Sequence, residues 1–377
     1  MKVLVTGGAG FIGTHTTRRL LTEGHEVTVL DNFSPQIHGH DGSLPLDLAP
    51  HVELIRGDIR DAEMVRKAIH KKHIVIHLAA ETGTGQSMYE VVRYQDVNIG
   101  GTAVLLQALS DDPHREVSKV VVASSRAIYG EGKYQTADGK IVYPNPRTVE
   151  AMKLGQFEPV DPITREIVSL LPTTEDSLLH PTSFYGLTKQ VQEQMVLLWG
   201  NTLSFSAFAL RYQNVYGPGQ SLRNPYTGIL AIFSNQARKN ATIYIFEDGQ
   251  ESRDFVYIDD VVEATVRCLS ADLQGTNSLN VGSGTRTTVQ EVVRSICDFF
   301  GASSPISTTG AFRQGDIRHS LADLSLVNQM IGYEPKVSFG EGLSKFLEWA
   351  ASQEAPESSY QESLNQMRDK GLFHTNS

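Results

Sequence analysis

Residues 6–13 read TGGAGFIG. They follow KVLVT, an apolar run with the residues of a buried strand, and open a stretch whose pattern predicts a helix from about Phe11 to Glu23. The glycines fit two spacings at once, Gly8-x-Gly10-x-x-Gly13 and Gly7-x-x-Gly10-x-x-Gly13. In both, a turn without side chains lets backbone N–H groups and a helix N-terminus approach a pyrophosphate. The last glycine lets the helix lie close on the strand. Asp31 closes the next apolar run, HEVTVLD, where a carboxylate would bind adenosine ribose hydroxyls and repel a 2′-phosphate. The stretch therefore predicts a dinucleotide site for NAD rather than NADP, with Gly7, Gly10, Phe11, Ile12, Gly13, Asp31 and Asn32 as contacts.

The same rhythm continues outward. VELIRG, HIVIHLAA, KVVVASS and SFSAFALRY read as further strands, separated by a polar helix and by helices over about Val91–Ser110 and Phe184–Leu198. Alternation of this kind predicts an α/β chain with a Rossmann-type, doubly wound parallel sheet. Beyond about Gln213 the elements shorten and turn residues multiply, which predicts a smaller C-terminal α/β substrate-binding domain. The expected division is 1–212 for the NAD-binding part, 213–352 for the substrate part with some elements crossing between them, and 353–377 for a polar tail with one short helix. Residues 131–180 interrupt the first part with Pro, Gly and charges and no periodicity. They read as an insert, either a solvated loop or a lid over the substrate.

A chain of 377 residues with 40% hydrophobic and 20% charged content has ample material for such a core. Its net charge of −10 argues against a nucleic-acid or anionic-membrane partner. No apolar run reaches the roughly 18 residues a spanning helix needs, and the first strand starts at once, so neither an anchor nor a signal peptide is expected. The two cysteines, Cys268 and Cys297, sit in helical patterns and read as core thiols in a reducing cytoplasm.

The chemistry-bearing residues follow the strands. SFYGLTK sets Tyr185 and Lys189 four apart, on one face of a helix. A tyrosine phenol in water ionises only near pH ~10, and an ammonium one turn away together with a cationic nicotinamide favours the phenolate. The pair can thus act as general base on a sugar hydroxyl. Ser125, at the end of KVVVASS, can donate to the reacting oxygen. HLAA puts small residues, Ala79 and Ala80, where the cofactor must pass close to the backbone, with Leu78 also expected to contact it; His77 beside them reads as a core histidine. Asp58 and Ile59, after the third strand, lie where adenine is expected; Asp58 reads either as its acceptor or as a solvated turn residue. Asn98 is expected at the cofactor or bracing the active-site strand.

TGGAGFIG, HLAA, SSRAIYG, SFYGLTK and LRYQNVYGPGQ together resemble the extended short-chain dehydrogenase/reductase family of NAD-dependent nucleotide-sugar epimerases and dehydratases, over about residues 1–350. The resemblance implies a Ser125–Tyr185–Lys189 triad, bound NAD, a nucleoside diphosphate sugar as substrate, and a homodimer through the two long helices. It also implies substrate contacts from Asn214, Gln220, Arg253, Arg313 and Asp316. Dehydratases of the family carry Asp–Glu directly after the catalytic hydroxyl residue, and uronic-acid decarboxylases carry a Glu at the second of those positions. Here Arg126 and Ala127 stand there, which leaves 4-epimerisation through a transient 4-keto sugar. Within the family, the insert and FEDGQESRDFVYIDD resemble a subgroup that includes dTDP-L-rhamnose 4-epimerases. That subgroup has cysteine pairs in its insert. This one has none, so no metal is expected. A UDP-sugar epimerase, a 4-keto sugar reductase and a non-catalytic NAD-binding regulator remain as alternatives.

Overall fold

Six strands form where the apolar runs predict them: β1 (Lys2–Thr6), β2 (Glu26–Asp31), β3 (Glu53–Arg56), β4 (Ile74–His77), β5 (Lys119–Ser125) and β6 (Ser206–Tyr212). They are seen in a computed structural model that describes every residue except 40–41, 223, 225–227, 271, 355–359 and 376–377. A seventh strand, β7 (Thr276–Val281), comes from the part read as the substrate domain and pairs parallel with β6. The sheet is wholly parallel, in the order β7-β6-β5-β4-β1-β2-β3, a Rossmann-type arrangement. The strand order reverses between β1 and β4, so the glycine turn after β1 and Leu78–Ala80 after β4 flank the crevice where such sheets bind ligands.

Side chains alternate across these strands and fill two cores. Val3, Val5, Val29, Ile76, Val121 and Leu210 face one side; Leu4, Leu30, Val75, Val122 and Ala209 face the other. Helices α1 (Phe11–Thr22) and α5 (Ile258–Arg267) cover the first face. Helix α2 (Ala62–Ile69), the long helix α3 and α4 (Phe184–Leu203) cover the second. Helix α3 runs through Val91–Tyr94, a π-helical stretch Gln95–Gly100 and Gly101–Asp111. Since α5 and β7 both lie beyond Gln213, the C-terminal part returns to complete the first layer between elements of its own. Its small sheet joins Asn214–Tyr216, Ser252–Tyr257 and Arg286–Thr288 and carries Asn214 and Arg253.

The insert is built rather than loose. Tyr134–Gln135 pairs antiparallel with both Ile141–Val142 and Ser169–Leu170. It is tied to the C-terminal part by buried charges. Arg147 bridges Glu131 (3.2 Å) and Glu247 (2.8 Å), while Arg318, fully buried, reaches Glu247 (2.9 Å) and Glu158 (2.6 Å). The charges that made this stretch look solvent-facing in sequence satisfy one another inside. Both cysteines are free, Cys268 buried and Cys297 half-buried. Among the described residues no helix is long and apolar enough to cross a membrane.

Candidate active site

Two clefts meet at Tyr185. The first runs over the C-terminal ends of the sheet and is lined by Gly7, Gly10, Phe11, Ile12, Gly13, Asp31, Asn32, Ile59, Leu78, Ala79, Ala80, Ser125, Tyr185 and Lys189. The local geometry fits a dinucleotide. Gly7 has φ +67°, and a Cβ there would lie 2.7 Å from Ala79 N; at Gly13 it would lie 2.3 Å from Gly7 O. These glycines close the turn tightly on β4 and on α1. Helix α1 begins with no side-chain cap and no acidic residue in its first turn, which leaves its N–H groups open to an anion in the cleft. Asp31 is fixed by N–H donors from Ala9 (3.0 Å) and Phe33 (2.8 Å) while still lining the cleft.

Two residues expected at the cofactor do not line this cleft. The Asp58 carboxylate is held by Arg60 at 2.8 and 2.9 Å and by Asn32 Nδ2 at 3.0 Å, which keeps its pKa down at about 2. Asn98 is fully buried behind it. Asn98 accepts from Glu81 N (2.8 Å) and donates to Thr188 Oγ1 (2.9 Å), so it joins the loop after β4 to helix α4.

Ser125 ends β5 and Tyr185 opens α4. The Ser183 hydroxyl caps the helix by accepting from Gly186 N at 3.1 Å, and Tyr185 N donates to Ser87 Oγ at 2.9 Å. A Cβ on Gly186 would lie 2.5 Å from Ala127 O, so the glycine is what lets α4 approach the end of β5. Burial raises the Tyr185 pKa; the Ser125 hydroxyl and then the Arg126 charge pull it back. Lys189 is buried, which lowers its pKa to about 7 against the attraction of Glu193. Its ammonium donates to Gln192 Oε1, and Gln192 Nε2 reaches Thr102 Oγ1 (2.8 Å) and His77 Nε2 (3.1 Å). His77, its pKa pushed by burial to about 3, is a neutral link in this chain. Gly186 and Gln192 were not singled out from sequence. A glycine in the first turn of a helix, where it costs stability, was the available signal for the former.

The second cleft lies between the sheet and the C-terminal part. Asn214, Gln220, Arg253, Arg313, Asp316 and Tyr185 all line it, so the structure brings the expected substrate residues together. Arg126 lines it too. Its Nε donates to Asn214 Oδ1 at 2.8 Å, and among the described residues its terminal nitrogens have no hydrogen-bond partner. Burial lowers its pKa to about 10, with the nearby Arg253 acting in the same direction. Arg253 is anchored on the carbonyls of Ser252, Ile317 and Arg318 at 2.9–3.0 Å, and Arg313 pairs with Asp316 at 2.8 Å. Ala127 is buried, its N–H donating to Ser125 Oγ at 3.1 Å. The two positions after Ser125 therefore offer a cation and a methyl, and no carboxyl.

With this geometry in view, the comparisons with known proteins are specific. The NAD dependent epimerase/dehydratase family matches residues 3–151 and 164–282. A dTDP-L-rhamnose 4-epimerase of Burkholderia thailandensis is 40% identical over 355 residues, 93% of this chain and 95% of that protein. Among solved structures, UDP-glucose 4-epimerase of Thermotoga maritima with UDP-glucose superposes with a TM-score of 0.76 at 31% identity, covering 93% of this chain and 98% of that one. UDP-glucose 4-epimerase of Thermus thermophilus in complex with NAD gives 0.71 at 28% identity, covering 94% and 100%.

Proposed function

The chain belongs to the NAD-dependent epimerase/dehydratase family and is an NAD-dependent nucleotide-sugar epimerase; from that premise we propose that it interconverts dTDP-L-rhamnose and dTDP-6-deoxy-L-talose through a transient 4-keto sugar. One observation carries the reading: Tyr185 is shared by the dinucleotide cleft and the substrate cleft, with Ser125 beside it and no carboxyl at the next two positions. The choice of sugar and base rests on the rhamnose-epimerase relative.

In this mechanism the uncapped start of α1, with Gly7, Gly10 and Gly13, would hold the pyrophosphate of NAD, and Asp31 would hold its adenosine ribose. Bound NAD supplies the acceptor and the return source for the C4 hydride. Tyr185, as phenolate, takes the proton from the 4-hydroxyl as the C4–H bond breaks, and gives it back when the ketone is reduced from the other face. Ser125 donates to the same oxygen as it becomes a carbonyl. Lys189, which lines the dinucleotide cleft and donates to Gln192, would support the ionised tyrosine from the cofactor side. Asn214, Arg253 and Arg313 hold the diphosphate, so the sugar is free to turn over while its anchor stays fixed. No acid or base beyond Tyr185 is required, and the reaction is redox-neutral overall.

Incubation of the protein with L-rhamnose and D-galactose carried on each of dTDP, UDP, GDP and CDP, followed by the anomeric proton signals, tests the reading. A second anomeric signal from dTDP-L-rhamnose is expected; equilibration of UDP-galactose alone would replace it with the UDP-sugar alternative. We also place the protein in the cytoplasm as a homodimer through α3 and α4, where Val92 and Leu198 stay 69% and 59% exposed in the single chain. Sedimentation at the mass of one chain would refute that pairing.

A further inference from the structure

The C-terminal tail, read from the sequence as polar with one short helix, is packed into the structure from Tyr360 to His374. Helix α6 (Tyr360–Asp369) places Tyr360 in the lining of the substrate cleft and packs against elements on both sides of it. On the sheet side, Tyr89 Oη donates to Gln366 Oε1 at 3.3 Å, and a Cβ on Gly85 would lie 3.1 Å from Met367 Sδ. On the C-terminal side, Phe373–His374 pairs antiparallel with Phe312–Arg313, setting His374 opposite Phe312 and Phe373 opposite Arg313. Gln314 N donates to Leu372 O at 2.9 Å, and His374 stacks on Phe312 with centroids 5.0 Å apart.

These contacts have the character of a built interior. Leu364, Met367 and Phe373 are buried with Ala311 in one apolar cluster, against which Tyr89, Phe246 and Tyr360 pack. Phe246 and Phe373 meet at 5.3 Å, and the Arg313 guanidinium lies 5.6 Å from the Phe246 ring. Arg313 is thus held by backbone pairing to the tail as well as by Asp316. Tyr360 itself lines the substrate cleft together with Arg313, Asp316, Gly83 and Thr84.

We propose that the segment Tyr360–His374 is an integral wall of the substrate site: Tyr360 contacts the bound nucleotide sugar, and the Phe373–His374 strand holds Arg313 in its binding position. The inference rests on the reading of this cleft as the nucleotide-sugar site. Deleting the tail removes one aromatic wall and one strand from the substrate cleft. It leaves the NAD cleft, which no residue of the segment lines, untouched.

The test compares the full chain, a chain ending at Ser352 and Tyr360→Ala. Calorimetry with dTDP and with UDP measures nucleotide binding, retained NAD serves as the folding control, and KM and kcat are read with the substrate found in the base panel. The truncated chain is expected to keep its NAD and to bind the preferred nucleotide at least tenfold more weakly. Tyr360→Ala should raise KM several-fold with kcat within a factor of two. Should the truncation lose NAD through misfolding, Tyr360→Ala decides alone, and an unchanged KM in it overturns the proposal. Equal nucleotide affinity in the full and truncated chains also overturns it while leaving the assigned function standing. A full chain that binds neither dTDP nor UDP refutes both.

Discussion

Gly186 and Ala127 approach so closely that a methyl on Gly186 would sit 2.5 Å from the Ala127 carbonyl oxygen, inside any real carbon–oxygen contact. The relationship sets the separation of Tyr185, one residue earlier on α4, from Ser125 at the end of β5. Both the base and its hydrogen-bonding partner depend on an atom that neither of them contains.

Gly186→Ala should therefore retain NAD while kcat falls by about 100-fold, the usual effect of displacing a reacting group by about 1 Å. Steady-state kinetics beside the absorbance of protein-bound nicotinamide checks it. Activity near that of the unaltered chain would mean that α4 relaxes without moving Tyr185.

Tyr185→Phe keeps the ring and its edge contact with Tyr94, whose centroid lies 6.4 Å away, and removes only the proton carrier. A loss in kcat of roughly 100- to 10,000-fold is expected, with dTDP affinity unchanged.

Arg126 bears on pH dependence. Its positive charge favours the Tyr185 phenolate, while burial opposes it. Removing the charge raises the pH needed to ionise the phenol, so Arg126→Gln should move the acidic limb of the kcat/KM profile upward. Arg126→Lys should restore part of the shift. The groups facing Arg126 from other elements are Arg253, Asp316, Tyr185 and Glu131. None of these changes in the variant, so the displacement reports the lost guanidinium.

Arg147 tests the insert. Replacing it by Ala leaves Glu131 and Glu247 buried without that partner, and such a loss typically costs about 3–5 kcal/mol. Denaturant unfolding of Arg147→Ala should show it, together with loss of activity at temperatures where the unaltered chain is stable.

What was legible in the sequence was local. The glycine turn, Asp31, and Tyr185 with Lys189 each declare themselves within a few residues, because a turn or one helical repeat fixes their geometry. Ser125 was found by the strand it ends. The requirement at Gly186 was hidden because it is imposed by Ala127, far off in the chain. The burial of Arg147 and Arg318 was not legible, since only the fold brings Glu131, Glu158 and Glu247 to them. Which element crosses back into the first sheet was not legible, because the pairing of β7 with β6 spans a long stretch of other structure. The packing of the tail was hidden for the same reason: Phe373 has its partner at Arg313, beyond any sequence period. Asp58 kept its place after β3, yet its carboxylate is taken up by Arg60, two residues on.

The central claim is that inversion occurs at C4 by removal and return of one hydride, with Tyr185 as the only proton carrier. The most direct measurement uses dTDP-L-rhamnose carrying deuterium at C4, followed in ordinary water by NMR and mass spectrometry. The account predicts dTDP-6-deoxy-L-talose that retains the deuterium at C4, with no exchange at C3 or C5 and no accumulation of reduced nicotinamide. Loss of the label to solvent, or inversion accompanied by exchange at C3 or C5, would contradict it.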